Sequence, residues 1–139
     1  MYLIDTDVVS ELRKGARADT GVRTFIQQAD MGQVPLFLSV VTIGELRRGV
    51  ELIRHRGDLQ QAQQLESWLL KILQDFQDCI LPFDEDCAQL WGRLRVPHPE
   101  NALDKQIAAT ALIHGLTLAS RNERHFQASG LAVLNPFGS

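Results

Sequence analysis

Short apolar runs alternate along the whole chain with longer stretches whose apolar residues recur at helical spacing. That alternation limits the fold more than any other feature. Strands separated by helices imply a mainly parallel sheet covered on both faces. Residues 2–5 read as a strand ending in an acid, and residues 6–14 as a helix stopped by Gly15. Residues 22–29 read as a second helix, 35–40 as a buried strand and 42–54 as the helix after it. Gly57-Asp58 breaks that helix. Leu59, Ala62, Leu65, Leu69, Ile72 and Leu73 then give one long amphipathic helix to about residue 76. Residues 79–83 read as a strand and 85–95 as a helix with Ala88, Trp91 and Leu94 on one face. Pro97-His98-Pro99 forces an extended loop. Residues 101–114 read as a helix with Gly115 as its C-cap, and residues 116–119 and 131–134 as the last strands.

A length of 139 residues suits one domain spanning residues 1–139, with a sizeable core. At 45% apolar and 22% charged residues the chain has globular composition, which excludes disorder as the default. No apolar run approaches the roughly 20 residues a membrane-spanning helix needs, and the first residues lack the basic and apolar regions of a secretion signal. Cys79 and Cys87 have no metal-type spacing and read as small core residues of a cytoplasmic protein. The net charge of −3 argues against bulk capture of nucleic acid and leaves local basic patches as candidates. These are Arg47-Arg48, Arg54-His55-Arg56, Arg93 with Arg95, and Arg121 with Arg124. Each taken alone reads first as a solvated surface.

In parallel sheets ligands bind beyond the carboxyl ends of the strands. Asp5 closes the first strand there. Glu45 lies near the start of the helix after the second strand, and Asp104 lies in the first turn of the helix starting near Asn101. Right-handed crossovers let the three carboxylates converge. Taken singly, each reads more readily as a helix cap: Thr42 with Glu45 as a capping box, Asn101 with Asp104 likewise, and Asp5 or Asp7 on the first helix. Capping does not explain why all three fall at one edge. Converging acids repel one another unless a hard divalent ion sits between them, and carboxylate and water ligands suit Mg²⁺ or Mn²⁺. Such an ion activates water and stabilises charge on a phosphodiester.

Four segments carry a resemblance. Residues 2–12, YLIDTDVVSEL, are similar to the opening of PIN-domain ribonucleases of the VapC toxin type. Residues 37–49, FLSVVTIGELRRG, resemble their second motif, and residues 104–111, DKQIAATA, followed by HGLTL at 114–118, resemble the third. Ser120-Arg121-Asn122 with Phe126, and then residues 134–137, LNPF, resemble the C-terminal end. The resemblance spans essentially the whole chain. It implies a PIN-like three-layer α/β fold with a five-stranded, mainly parallel sheet, and Mg²⁺- or Mn²⁺-dependent RNA cleavage. It also implies a homodimer and a cognate VapB-like antitoxin, with the helices at 42–54 and 58–76 forming the antitoxin groove. By position, Asp5, Glu45 and Asp104 are the catalytic, metal-binding acids, and Thr6, Asp7, Ser120 and Asn122 support them. Asp7 stands where the family often has Asn. His125 stands where the family often has Asp; it reads as a further supporting donor or as a polar residue at the rim, and nearby Glu123 as a substitute acid or a surface residue.

Two other classes compete. Asp5-Thr6-Asp7-Val8-Val9 fits the Asp-x-Asp opening of haloacid-dehalogenase-type phosphotransferases, in which the first Asp is a nucleophile. No late acidic pair follows a strand, and the chain leaves little room for a cap domain. A non-catalytic module acting with an antitoxin on operator DNA is the other class, but this chain has no helix-turn-helix signal of its own. A related nuclease that processes RNA, and is no toxin, shares the same sequence features.

Overall fold

The computed structural model describes residues 1–138. The elements run β1 (Tyr2–Ile4), α1 (Thr6–Leu12), α2 (Thr20–Met31), β2 (Leu36–Ser39), α3 (Val40–His55), α4 (Leu59–Asp75), β3 (Ile80–Leu81), α5 (Glu85–Leu94), α6 (Ala102–Ile113), β4 (Thr117–Ala119) and β5 (Val133–Leu134). The strands form one five-stranded sheet in the order β3-β2-β1-β4-β5. All of its pairings are parallel, with Leu3 opposite Phe37 on one side and Leu118 on the other. Parallel strands need crossovers, and the helices supply them.

β1 divides the core. Successive strand side chains point to opposite faces, so Leu3 and Ile4 enter different layers. Ile4 packs with Val8, Val22, Leu38, Val50 and Leu69 under α1 to α4. Leu3 packs with Ile107, Ala111, Leu118 and Phe126 under α6. Both residues are fully buried. This is the three-layer α/β arrangement that the alternation and the resemblance imply.

The differences from the sequence reading lie at element ends. The first helix stops at Leu12, and Gly15, at φ +58°, opens a separate 3-10 turn, Gly15–Arg17. The second helix is longer than its apolar pattern, because Asp19 caps it by accepting from the Val22 N–H at 3.0 Å. α3 begins at Val40, two residues before Thr42. Ser39 is its N-cap and accepts from the Val41 N–H at 3.0 Å. Thr42 and Glu45 are therefore no capping box. Thr42 is buried within the helix, and Glu45 lies beyond the first turn. A second 3-10 segment, Glu123–Ser129, precedes β5 and carries His125 and Phe126. Cys87 is buried, Cys79 is half-buried, and both are free thiols. Among the described residues no helix is long and apolar enough to cross a membrane.

Candidate active site

Three neighbouring strands bring their carboxyl ends together. Asp5 follows β1, Ser39 ends β2 and Ser120 follows β4. The ladder holds these exits in register. The Asp5 N–H donates to the Ala119 carbonyl at 2.9 Å, and the Ser120 N–H donates to the Leu134 carbonyl at 2.9 Å. α6 runs back from this edge, which leaves its first turn, with Asp104, beside the strand ends.

Asp5 is 3% exposed, and both its oxygens are engaged. Oδ1 accepts from the Thr6 N–H at 2.8 Å and so caps α1. Oδ2 accepts from Ser120 Oγ at 2.6 Å. The cap and the candidate ligand are thus the same group. Burial pushes Asp5 up to about 6 from 3.8; the Ser120 hydrogen bond opposes this, and the fields of Asp7 and Asp104 add to it. Asp7 is raised too, chiefly by burial, against the Arg121 N–H that donates to its Oδ2 at 3.0 Å. Asp7 Oδ1 is buried and has no hydrogen-bond partner among the described residues.

Glu45 reaches the same edge through Thr6. Thr6 Oγ1 donates to Glu45 Oε1 at 2.8 Å. With its one proton given to Glu45, Thr6 accepts from Thr42 Oγ1, 3.2 Å away. Asp104 is held from the other side by His125, whose Nδ1 lies 2.5 Å from Asp104 Oδ2. Asn122 contributes its backbone: its N–H donates to Ser120 Oγ at 3.0 Å, which fixes the hydroxyl that serves Asp5. Glu123 is exposed and lines a separate shallow cavity with Leu131 and Val133. His125, rather than Glu123, is the residue on Asp104.

Sequence reasoning missed two contributors. Thr42 has the spacing of a cap and instead completes the Thr6–Glu45 link. The indole Nε1–H of Trp91 donates to the Ala102 carbonyl at 2.9 Å, anchoring the start of α6 just ahead of Asp104. Only the coincidence of Trp91 with the apolar face of its helix hinted at packing on α6.

Among the described residues no three His, Cys, Asp or Glu side chains stand close enough to cage an ion between them. The donors at this edge are all hard oxygens, and the charge of Asp5 is uncompensated by any cation in hydrogen-bond contact. The orphaned Asp7 Oδ1 adds a second buried acceptor. Such a set fits a divalent cation that keeps several waters and takes one or two carboxylates, which is the habit of Mg²⁺. It does not fit a closed protein cage.

The PIN domain family model matches residues 2–131. The chain belongs to the PIN-domain family. This PIN domain is 35% identical to Toxin FitB of Neisseria gonorrhoeae over 144 aligned residues, covering 99% of both chains. It is 34% identical to VapC ribonuclease Y4jK of Sinorhizobium fredii, covering 99% of this chain and 98% of that one. Among solved structures it resembles the crystal structure of FitAcB from Neisseria gonorrhoeae at TM-score 0.83 and 34% identity, covering 98% of each chain. The resemblance to VapC-type PIN domains read from the four motifs therefore holds over the whole chain.

Proposed function

We propose that this PIN domain is a metal-dependent endoribonuclease and the toxin of a type II toxin–antitoxin pair. The observation that carries the reading is the buried Asp5 carboxylate at the strand edge, tied to Ser120 and flanked by Asp7 and Asp104. Its relatives are named as a toxin and as a VapC ribonuclease, which supports the same assignment.

Asp5, Asp104 and Glu45 are the groups that would hold Mg²⁺ or Mn²⁺. A divalent ion held there supplies a water nucleophile at neutral pH and stabilises charge on phosphorus. Asp5 keeps a lone pair on each oxygen, because each accepts a single hydrogen bond. Ser120 and the Thr6 N–H fix its orientation. Thr6 holds Glu45 toward the edge. His125 restrains Asp104. Asp7 has a free buried oxygen and adds negative charge to the approach of the cation, while its other oxygen ties α1 to the Arg121 backbone.

The partner would be a VapB-like antitoxin. A cleft of about 340 Å³ starts at Thr6 and Glu45 and runs between α3 and α4 past Leu46, Ile53, Leu65 and Trp68. Its apolar walls and its mouth at the candidate acids suit a partner helix that covers the site. A homodimer in the cytoplasm, with residues 1–139 as one domain, completes the proposal.

The deciding experiment purifies the chain alone and with the small protein encoded beside it, then maps RNA ends after incubation with Mg²⁺, Mn²⁺ or chelator. Ends bearing 5′-phosphate and 3′-hydroxyl, lost in chelator and in Asp5→Asn and blocked by the partner, are expected. Cyclic phosphate ends formed in chelator would overturn the metal mechanism. Activity on small phosphoesters but not on RNA would favour the phosphotransferase class.

A further inference from the structure

A second cleft of about 340 Å³ adjoins the acid edge and shares His125 with it. It lies between the last turn of α5, the 96–99 loop, the first turns of α6 and the 3-10 segment 123–129. Its charged lining is basic: Arg93, Lys105, His98 and His125. Its apolar lining includes Val96, which is 77% exposed, and Pro97. We propose that this cleft binds one nucleotide of single-stranded RNA adjacent to the scissile phosphate, its phosphate on Arg93 and Lys105 and its base against Val96 and Pro97. The proposal rests on the ribonuclease reading.

Charge selects the occupant. The chain is net negative, so RNA needs a local cationic hold. Two cations of the sequence's basic patches are neutralised: Arg47 and Arg54 both pair with Glu51 and Glu66, at 2.5 to 3.3 Å. Arg95 is also engaged, with its guanidinium 4.7 Å from the Trp91 ring and its Nε–H on the Pro99 carbonyl. Among the described residues neither Arg93 nor Lys105 belongs to an ion pair. Lys105 donates to the His98 carbonyl, a neutral acceptor that positions the ammonium and leaves its charge in force. Two acids stand beside this rim among the described residues: Glu100 faces His98 at 3.5 Å, and Asp104 is held on His125 Nδ1 at 2.5 Å.

Position supplies the link to chemistry. Lys105 follows Asp104 in the first turn of α6, and His125 has its Nδ1 on Asp104 while its ring lines the cleft. A histidine held at Nδ1 presents Nε2 on the opposite side of the ring. A strand with one phosphate at Asp5 and Asp104 thus meets basic side chains on leaving the acids. The exposed Val96 and Pro97 side chains offer an apolar contact for a base. The volume suits one small ligand and excludes a folded partner. A second copy of the chain is the poorer occupant, because a two-fold contact centred here would set Arg93 and Lys105 against their own copies.

The test uses full-length protein carrying Asp5→Asn, so that RNA survives, with a fluorescent short oligouridylate in magnesium-free buffer. Anisotropy titrations at several salt concentrations read Kd and its salt slope. Adding Arg93→Gln or Lys105→Gln is expected to weaken binding about tenfold and to lower the salt slope by about one. In the otherwise wild-type chain, Arg93→Gln is expected to raise KM for RNA with kcat little changed. Unchanged Kd and slope in both variants would overturn the inference, and if the wild type still cuts RNA the ribonuclease reading survives. A wild type that cuts no RNA in either metal, with binding that still depends on Arg93 and Lys105, would sink the ribonuclease reading and keep the cleft. Variants that alter the sedimenting mass but not RNA affinity would make the cleft a contact between copies and also overturn it.

Discussion

Ser120 Oγ donates a 2.6 Å hydrogen bond to Asp5 Oδ2 across a separation of 115 residues, so the ends of β1 and β4 share one polar contact at the candidate site. The bond favours the ionised form of Asp5 and partly offsets the effect of burial. Ser120→Ala leaves Oδ2 buried without its donor. The expected result is a loss of about 1–3 kcal/mol in denaturant unfolding and an acidic limb of the pH–rate profile that moves to higher pH. A profile unchanged from wild type would show that the hydroxyl does not act through Asp5.

Asp5 also makes a pH prediction for the metal-free chain. Its folded pKa, about 6, lies above the ordinary value of 3.8, so the native state holds the proton more tightly than the unfolded state. The stability this contributes is fully present below about 3.8 and is lost as pH rises through 6. Above that range the ionised group costs about 3 kcal/mol relative to the protonated one. Asp5→Asn keeps the acceptor for the Thr6 cap and cannot ionise. The gap in Tm between Asp5→Asn and wild type, measured in chelator, is expected to widen in favour of Asn from pH 5 to pH 7.5. Mg²⁺ at pH 7.5 is expected to raise the Tm of the wild type and not of the variant. A gap independent of pH would contradict the assigned titration.

Thr6 connects α1 to Glu45 through 2.8 Å, with Thr42 behind it. Thr6→Val keeps the shape and removes the donor. Cleavage is expected to fall by about tenfold to a hundredfold, well short of the effect of Asp5→Asn, while Thr6→Ser retains most activity. Equal losses in Val and Ser would assign the effect to packing of the methyl group.

What the sequence disclosed and what it hid divide along a physical line. The sheet, the helices between its strands and the position of Asp5 at the carboxyl edge follow from periodicity, because burial on one face repeats over many residues. The ends of elements do not. Ser39 and Thr42 are both good cap residues, and which one caps α3 depends on where β2 stops. The 3-10 segment at 123–129 has no period to read, so the approach of His125 to Asp104 was invisible. The link from Thr6 to Glu45 depends on how α1 crosses α3, which no local pattern encodes. Positional likeness to the family pointed at Thr6, Ser120, Asn122 and His125 without stating what each one touches.

Gly21 couples the C-terminal segment to the same half of the fold. A Cβ there would lie 2.3 Å from the Pro136 carbonyl oxygen and 2.5 Å from the Gly138 nitrogen, both of them backbone atoms. Asp19 accepts from the Gly138 N–H at 2.9 Å, and the Arg121 guanidinium lies 3.8 Å over the Phe137 ring. Gly21→Ala is expected to displace the segment around 136–138, to cost about 1–3 kcal/mol and to speed proteolysis of the C-terminal residues. Wild-type stability and proteolysis would mean that the segment moves aside at no cost.

His125 holds its Nδ1 2.5 Å from Asp104 Oδ2. The family often has an acid at this position, so His removes a negative charge from the candidate metal site. Two divalent ions held by three carboxylates carry excess positive charge until a phosphate arrives. One ion is therefore expected to bind firmly and a second to enter mainly with RNA. His125→Ala frees Asp104 to rotate but removes no carboxylate, so it is expected to lose far less activity than Asp5→Asn. His125→Asp sets a second acid against Asp104. The two repel without a cation and share one when it is present, so the Mg²⁺ concentration for half-maximal activity is expected to fall. Titrating activity against Mg²⁺ and Mn²⁺ for His125→Ala, His125→Asp and Asp5→Asn separates these cases. If His125→Ala is as inactive as Asp5→Asn in both metals, the imidazole is itself a primary catalytic group and three acids do not account for the site.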